Sequence, residues 1–131
     1  MLKNLNHIIP MVMLATSLTS QAQIANCTAD IGTEVVGNNG VHYCLSKITL
    51  NWWSAHSWCR AIGMRLASPE DACVGDFSGC ANVSGKGKVN AWLSTPYGAD
   101  QAYHLYSTWN WALNTRDRKS QFYAFCAPVT P

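Results

Sequence analysis

The chain is poor in charged side chains, which make up only 12% of its 131 residues. Nine basic side chains are nearly balanced by seven acidic ones, so the formal net charge at pH 7 is only +2. Proteins that bind nucleic acid normally carry a strong basic excess. We therefore expect no nucleic-acid partner. The small number of acids also leaves few ligands for a calcium ion.

The sequence has no apolar run long enough to cross a bilayer, which requires about 20 residues. The apolar stretch over residues 8–18 is preceded by Lys3 and followed by Ser20-Gln21-Ala22, which places small residues where a signal peptidase cleaves. This pattern predicts a signal peptide over residues 1–22 and a mature chain that starts near Gln23. We expect a secreted or periplasmic protein with no membrane insertion after cleavage.

Sequence motifs for catalysis are absent as well. The chain contains neither a His-Glu-x-x-His zinc motif nor a Gly-x-Ser-x-Gly nucleophile turn. The three histidines of the predicted mature chain, His42, His56 and His104, fall on three different predicted elements. We therefore expect that the protein is not an enzyme, with no catalytic residue, no cofactor and no metal.

The sequence does contain an even set of cysteines, all after the predicted signal peptide. They are Cys27, Cys44, Cys59, Cys73, Cys80 and Cys126. In small exported domains such a set commonly forms disulfides, which supplement a small hydrophobic core. We expect three disulfides, and a bridge between Cys27 and Cys44 would pin the N-terminal hairpin. A zinc site at Cys73 and Cys80 stays an open alternative, although their spacing is wider than in zinc fingers.

Two helices are predicted from apolar spacing and from terminal signals. The first spans residues 50–62, where Thr49 or Asn51 can cap its start and Gly63 can end it. Its apolar stripe, at three- and four-residue spacing, comprises Trp52, Ala55, Cys59 and Ile62. Ser68-Pro69-Glu70-Asp71 combines a capping hydroxyl, an early proline and acids in the first turn, which predicts a second, short helix.

Strand-like segments lie before and after these helices. A hairpin over residues 34–36 and 41–43 encloses a turn rich in glycine and asparagine. After a polar loop at residues 76–89, four segments are predicted as strands, at 91–94, 102–106, 109–113 and 121–126, with turns at 96–98 and 114–120. Helices early in the chain and strands late predict an α+β fold in a single domain over residues 23–131.

The order of these elements resembles the C-type lectin-like family. In the first half the matching pieces are Tyr43-Cys44, the tryptophan-rich helix that carries Cys59, and the stretch at residues 63–68. In the second half Ala91-Trp92-Leu93-Ser94 is similar to the family's core Trp-Ile-Gly strand, with serine in place of the glycine. The closing Phe122-Tyr123-Ala124-Phe125-Cys126 is similar to lectin-fold C-terminal domains of some bacterial surface and collagen-like proteins.

The resemblance implies a C-type lectin-like fold with two helices and a mixed or antiparallel sheet, stapled by disulfides. In that family a helix cysteine is linked to a cysteine on the last strand, and Cys59 and Cys126 occupy those places. Long forms of the family carry an extra N-terminal hairpin with its own bridge, which Cys27 and Cys44 match.

The chain also departs from the family pattern. Cys73 and Cys80 do not match the family's second inner disulfide and would close a small local loop instead. The Glu-Pro-Asn, Gln-Pro-Asp and Trp-Asn-Asp triplets of calcium-dependent sugar binding are absent, since Trp109-Asn110-Trp111 puts tryptophan where the carboxylate should be. Calcium takes six to eight oxygen ligands, and Asp100 and Asp117 are the only acids in this half. We therefore expect calcium-independent binding.

The predicted ligand surface combines aromatic rings with amide and guanidinium groups, which stack on sugar rings and hydrogen-bond to hydroxyl or anionic groups. Its six residues are Tyr97, Trp109, Trp111, Asn114, Arg116 and Arg118. Two-residue alternation would place Trp109 and Trp111 on one face of a strand. The alternative is that both tryptophans belong to the core and that the basic turn is an ordinary solvated loop.

These observations predict a secreted, calcium-independent binding module that recognises a polysaccharide or a protein surface. The expected partner is a glycan or an extracellular protein. The alternative is a structural or assembly subunit of a bacterial surface appendage, such as a pilus-associated protein. Bacterial domains with this type of helix occur fused to pilin-like stalks, but this chain has no long apolar stalk helix after the predicted signal peptide.

Overall fold

The computed structural model describes residues 27–75, 80–83, 90–107 and 111–129, with the backbone alone at residues 107, 111 and 112. The predicted signal peptide lies outside these ranges. Within them the protein has two α-helices and a seven-stranded mixed sheet. The predicted α+β class is therefore confirmed.

The elements follow one another in a fixed order along the chain. They are β1 (Gly32–Val36), β2 (His42–Leu50), α1 (Trp52–Ala61), β3 (Arg65–Leu66), α2 (Pro69–Cys73), a 3-10 turn (Ala81–Val83), β4 (Asn90–Tyr97), β5 (Gln101–Ser107), β6 (Trp111–Asp117) and β7 (Phe122–Ala127). The sheet order is β1-β2-β7-β4-β5-β6, with β3 also paired to β7. The last strand thus lies inside the sheet, antiparallel to β2 and β3 and parallel to β4.

Both helices begin at the predicted caps. The Asn51 side chain accepts a hydrogen bond from the Ser54 backbone N–H at 2.8 Å, which satisfies a donor at the start of α1. After α1 the chain reverses at Gly63, whose φ of 80° favours glycine. Ser68 and Asp71 form a reciprocal capping box at the start of α2. These ends were predictable because each depends on residues within one helical turn.

All six cysteines lie in the described part of the chain and are paired as expected. The bridges join Cys27 to Cys44, Cys59 to Cys126, and Cys73 to Cys80. Cys73 and Cys80 are joined in a disulfide, so neither thiol is available for the alternative zinc site. Three bridges are consistent with an oxidising extracellular or periplasmic compartment. No helix in the described ranges combines the length and the apolarity that a membrane crossing requires.

The sheet buries side chains on both of its faces. On one face, α1 packs Ala55 and Cys59 against Trp92 and Ala124. On the other face, the core contains Leu93 and other buried side chains, including Tyr43, Val83, Leu105 and Phe125. Consecutive strand residues alternate between faces, so Trp92 and Leu93 serve different cores. The outer surface of α1 is exposed at Trp53.

A buried polar network closes the face opposite α1. The Asn82 side-chain amide donates to the Tyr43 hydroxyl at 3.1 Å and to the Asp71 carbonyl at 2.8 Å, and its oxygen accepts from the Asn39 backbone N–H. Asn82 is buried and begins an Asn-Val-Ser triplet of the glycosylation type. Because its amide is already bonded inside the protein, it is closed to glycosylation in the folded state.

Two turns lie later in the chain than the sequence predicted, and the second is also shorter. β4 continues to Tyr97 and β6 continues to Asp117, so the turns lie at residues 98–100 and 118–120. The turn-forming residues Pro96 and Asn114 are paired across strands with Ala102 and His104. Tertiary pairing therefore overrides their local preference, and the register shift before Pro96 accommodates a residue that has no N–H to donate.

His104 is the most deeply buried histidine, with 1% of its surface exposed. Its ring stacks on Phe122 at 4.7 Å and lies edge-on to Trp92 and Tyr106. Burial lowers the pKa of His104 to about 4, the positive charge of Arg116 acts in the same direction, and a hydrogen bond with the Asn114 backbone opposes both. The folded protein therefore holds this imidazole neutral.

Acidification is expected to weaken the fold through His104. The unfolded chain takes up a proton near pH 6.5, whereas the folded chain resists it until about pH 4. The stabilisation is complete above pH 6.5 and is lost as the pH falls towards 4, at a cost of about 3 kcal/mol. Urea unfolding at a series of pH values, on the parent and on His104→Gln, measures this contribution. An equally steep decline in the variant would contradict it.

Candidate functional site

The two tryptophans of the predicted ligand surface are only partly placed. Trp109 lies outside the described residues. Trp111 begins β6 and its backbone pairs with Ser107 of β5, but its side chain is not among those described. The prediction that these two rings form one stacking face therefore stays a prediction.

The predicted residues Tyr97, Asn114 and Arg116 do not share one face of the sheet. Asn114 and Arg116 pair with His104 and Ala102 of β5, whereas Tyr97 pairs with Gln101, one residue before Ala102. Because side chains alternate along a strand, Tyr97 lies on the face opposite Asn114 and Arg116. Tyr97 is 53% exposed and its ring lies edge-on to Tyr103 at 5.5 Å. These three predicted residues do not form a single binding surface.

Asn114 and Arg116 instead act on the backbone of their own strand. The Asn114 side-chain oxygen accepts from the Thr115 N–H at 2.8 Å, and Arg116 donates to the Thr115 carbonyl at 3.2 Å. β6 is the last strand on its side of the sheet. Edge strands with unbonded polar groups recruit other strands, so these two contacts protect the edge against association.

Arg118 is engaged inside the fold. Its guanidinium donates to the Gln101 carbonyl at 2.8 Å and to the Gly98 carbonyl at 2.9 Å. The same group lies 5.0 Å from the centre of the Trp52 ring, at a distance typical of a cation–π contact. Arg118 thereby ties the β4–β5 turn to the start of α1, and its role is to position that helix.

The outer surface of α1 carries an open groove of about 370 Å³. It is lined by Leu50, Trp53, Ser54, Ser57 and Trp58, and we call it the α1 groove. Leu50 ends β2, and the other four residues lie on α1 at i, i+1, i+4 and i+5, which places them on one helix face. The apolar stripe predicted from the sequence is the one that packs on the sheet. Two tryptophans with two serines at this spacing were the signal in the sequence for a second face.

The tryptophans on α1 and β4 divide into two kinds. The indole N–H groups of Trp52 and Trp92 donate to the carbonyls of Leu93 and Leu50, at 2.8 and 2.9 Å. In the described part of the chain no such acceptor contacts the N–H groups of Trp53 and Trp58. Trp53 is 50% exposed, although its ring edge rests on Trp52 at 6.0 Å. Among the described residues, the N–H groups of these two indoles thus remain without an acceptor.

The α1 groove has no ionisable side chain in its lining. The nearby His56 lies against Trp52, with 4.5 Å between ring centres. Burial lowers the pKa of His56, and the positive charge of Arg60 adds to this effect, so the imidazole is neutral at neutral pH. The groove can therefore offer aromatic faces, hydroxyls and N–H donors without charge.

The described residues contain no cluster of three or more His, Cys, Asp or Glu side chains that could hold a metal ion. No family model, no curated protein and no solved structure matches this chain.

Proposed function

We propose that this protein is an exported, calcium-independent binding module that recognises a polysaccharide or a protein surface through the α1 groove. The observation that carries the proposal is the pair Trp53 and Trp58, whose indole N–H groups have no acceptor within the described residues. Two large aromatic side chains on one open surface provide an apolar contact area together with polar donors. Such a surface suits binding.

A C-type lectin-like scaffold is part of the proposal. Its support is the central position of the last strand and the bridge from Cys59 in α1 to Cys126 in β7. The bridge between Cys27 and Cys44 anchors the N-terminal hairpin, as in the long forms that the sequence resembles. A frame stapled in this way would hold the α1 groove rigid, which reduces the entropy cost of binding.

The binding function is tested by retention of the mature protein on insoluble polysaccharides and on washed cell-surface material. We expect retention that a chelator leaves unchanged, because the sequence lacks the acidic triplets of a calcium-dependent lectin. Trp53→Ala should reduce retention severalfold, while Tyr97→Ala, which removes a similarly exposed ring elsewhere, should not. Release by the chelator, with recovery on added calcium, would contradict the proposal.

An assembly role in a surface appendage ranks second. β1 and β6 are the two edge strands of the described sheet, and a partner strand could add to either only where backbone groups are unbonded. At β6 both polar groups of Thr115 already bond to Asn114 and Arg116, which disfavours strand addition there. We therefore place the binding module first.

A further inference from the structure

The α1 groove presents apolar and polar groups in close alternation. Leu50 is the first lining residue in sequence, and two serines lie between Trp53 and Trp58. Ser57 donates its hydroxyl to the Trp53 carbonyl at 3.4 Å, which leaves the lone pairs of its oxygen free to accept. The Ser54 hydroxyl makes no hydrogen bond within the described residues. The groove thus offers donors and acceptors beside aromatic rings.

We infer that the α1 groove binds one uncharged sugar ring of a neutral polysaccharide, an inference that rests on the proposed binding function. A sugar ring has apolar C–H faces and a rim of hydroxyls, so it can contact an indole and hydrogen-bond to neighbouring polar groups at once. The indole N–H groups can donate to its oxygens, and the oxygens of Ser54 and Ser57 can accept from its hydroxyls.

The charges around the groove favour a neutral ligand over an anionic one. Acidic sugars and phosphates are bound most strongly by charge-assisted hydrogen bonds from arginine or lysine. No such side chain lines the groove. Arg118, which lies 5.0 Å from the Trp52 ring, already donates to two backbone carbonyls. Arg60 lies one turn beyond Ser57 on α1, outside the lining of the groove. An anion held by the lining itself would therefore have no charged partner.

Polar groups in the groove favour a sugar over the apolar side chain of a protein. An apolar partner that covered Trp53 and Trp58 would leave the N–H groups and the hydroxyls of Ser54 and Ser57 without water or acceptors. Each buried polar group left unpaired weakens binding. A sugar ring satisfies these groups with its own hydroxyls, so the groove matches a polyhydroxylated ligand.

The size and openness of the groove indicate an internal unit of a chain. Its volume of about 370 Å³ lies near the lower end of the range for small-molecule sites, about 300–1,000 Å³. The groove is wide open to solvent. A polysaccharide can therefore place one ring in the groove while its neighbouring units stay in solvent.

Titration of the mature protein with soluble oligosaccharides tests the inference. The probes are neutral oligomers of glucose, xylose and N-acetylglucosamine, with oligomers of galacturonic acid as the anionic comparison. We expect a neutral oligomer to shift the indole N–H resonances of Trp53 and Trp58, and to leave those of Trp52 and Trp92 in place because they are bonded internally. Affinity should not change with salt, since no charge takes part.

Substitutions test which side chains form the sugar-binding site. Trp53→Ala should weaken the neutral oligomer roughly tenfold or more, which corresponds to about 1.4 kcal/mol. Tyr97→Ala, a matched loss of an exposed ring, should leave affinity unchanged. The paired change Ser54→Ala with Ser57→Ala should weaken binding while both tryptophans remain. Trp58 also packs against the core. Binding by its alanine variant is therefore interpreted only if the circular dichroism spectrum of the variant matches that of the parent.

Different failures have different meanings. If cell-surface material is retained through Trp53 but only galacturonic acid oligomers bind, the neutral-sugar inference is wrong and the proposed function stands. If no oligomer binds while retention still depends on Trp53, the partner is a protein surface and the inference is again overturned. If retention and titration are both indifferent to Trp53→Ala, the proposed site itself is wrong.

Discussion

Replacing Cys59 and Cys126 together by alanine is expected to lower the free energy of unfolding by about 4 kcal/mol. These cysteines are 67 residues apart in the chain, and both are fully buried. A bridge over so long a segment restricts the unfolded chain strongly, so its loss raises the entropy of the unfolded state. Small domains have only about 5–15 kcal/mol of stability, so this loss brings the protein close to unfolding. Urea unfolding under non-reducing conditions measures it.

The matched control is the paired alanine variant of Cys73 and Cys80. That bridge closes a segment of only 7 residues, for which the same chain-entropy argument gives about 2 kcal/mol. Both pairs remove two buried sulfur atoms, so the difference between them reports segment length. If loss of the short bridge lowered the free energy of unfolding as much as loss of the long bridge, or more, the disulfide between α1 and β7 would not be the main stabilising cross-link.

Trp92→Ala is expected to cost about 3–5 kcal/mol, because it removes a fully buried side chain from the centre of the sheet. The ring lies 4.9 Å from Phe122, centre to centre, and its N–H donates to the Leu50 carbonyl at 2.9 Å. The variant therefore leaves both a cavity and an unpaired carbonyl. Thermal and urea unfolding, with the near-ultraviolet circular dichroism spectrum as a check on packing, measure the effect.

Trp53→Ala is the natural comparison for Trp92→Ala. The same atoms are removed, but from a ring that is 50% exposed and whose N–H has no acceptor in the described residues. Its stability should stay within about 1 kcal/mol of the parent, since surface changes are usually small. Loss of binding without loss of stability at Trp53, and the reverse at Trp92, would separate recognition from folding. Similar destabilisation by both variants would contradict this division.

Trp52 contacts both its neighbour Trp53 and Arg118 of the β6–β7 turn. Arg118 lies over Trp52, and Trp52 in turn contacts the edge of Trp53. The Trp52 backbone N–H also donates to the Arg118 carbonyl at 2.9 Å. Arg118, which the sequence suggested as a ligand contact, thereby supports the helix that carries the groove. Rigid support of this kind reduces the ordering that a ligand must impose when it binds.

Local patterns were sufficient for much of the scaffold. The caps at Asn51 and Ser68, the reversal at Gly63 and the buried stripe of α1 depend on residues a few positions apart, and the structure contains them all. The caps, the reversal and the stripe are readable in a sequence because their physical causes act over short distances. The pairing of Cys59 with Cys126 spans 67 residues and was instead implied by the resemblance to C-type lectin-like domains.

The binding surface depends on contacts between distant parts of the chain. Which indole N–H groups are bonded inside the fold depends on acceptors some forty residues away, such as the Leu93 carbonyl for Trp52. Whether Tyr97 and Asn114 share a face depends on strand register, where a shift of one residue exchanges the two faces. Arg118 donates to the carbonyls of Gly98 and Gln101, a contact that no local pattern indicates. Composition and spacing could predict an exported, disulfide-bonded α+β domain, because those signals are local. Only the tertiary structure decided which aromatic and polar groups are bonded inside the fold and which stay exposed, because that depends on nonlocal packing.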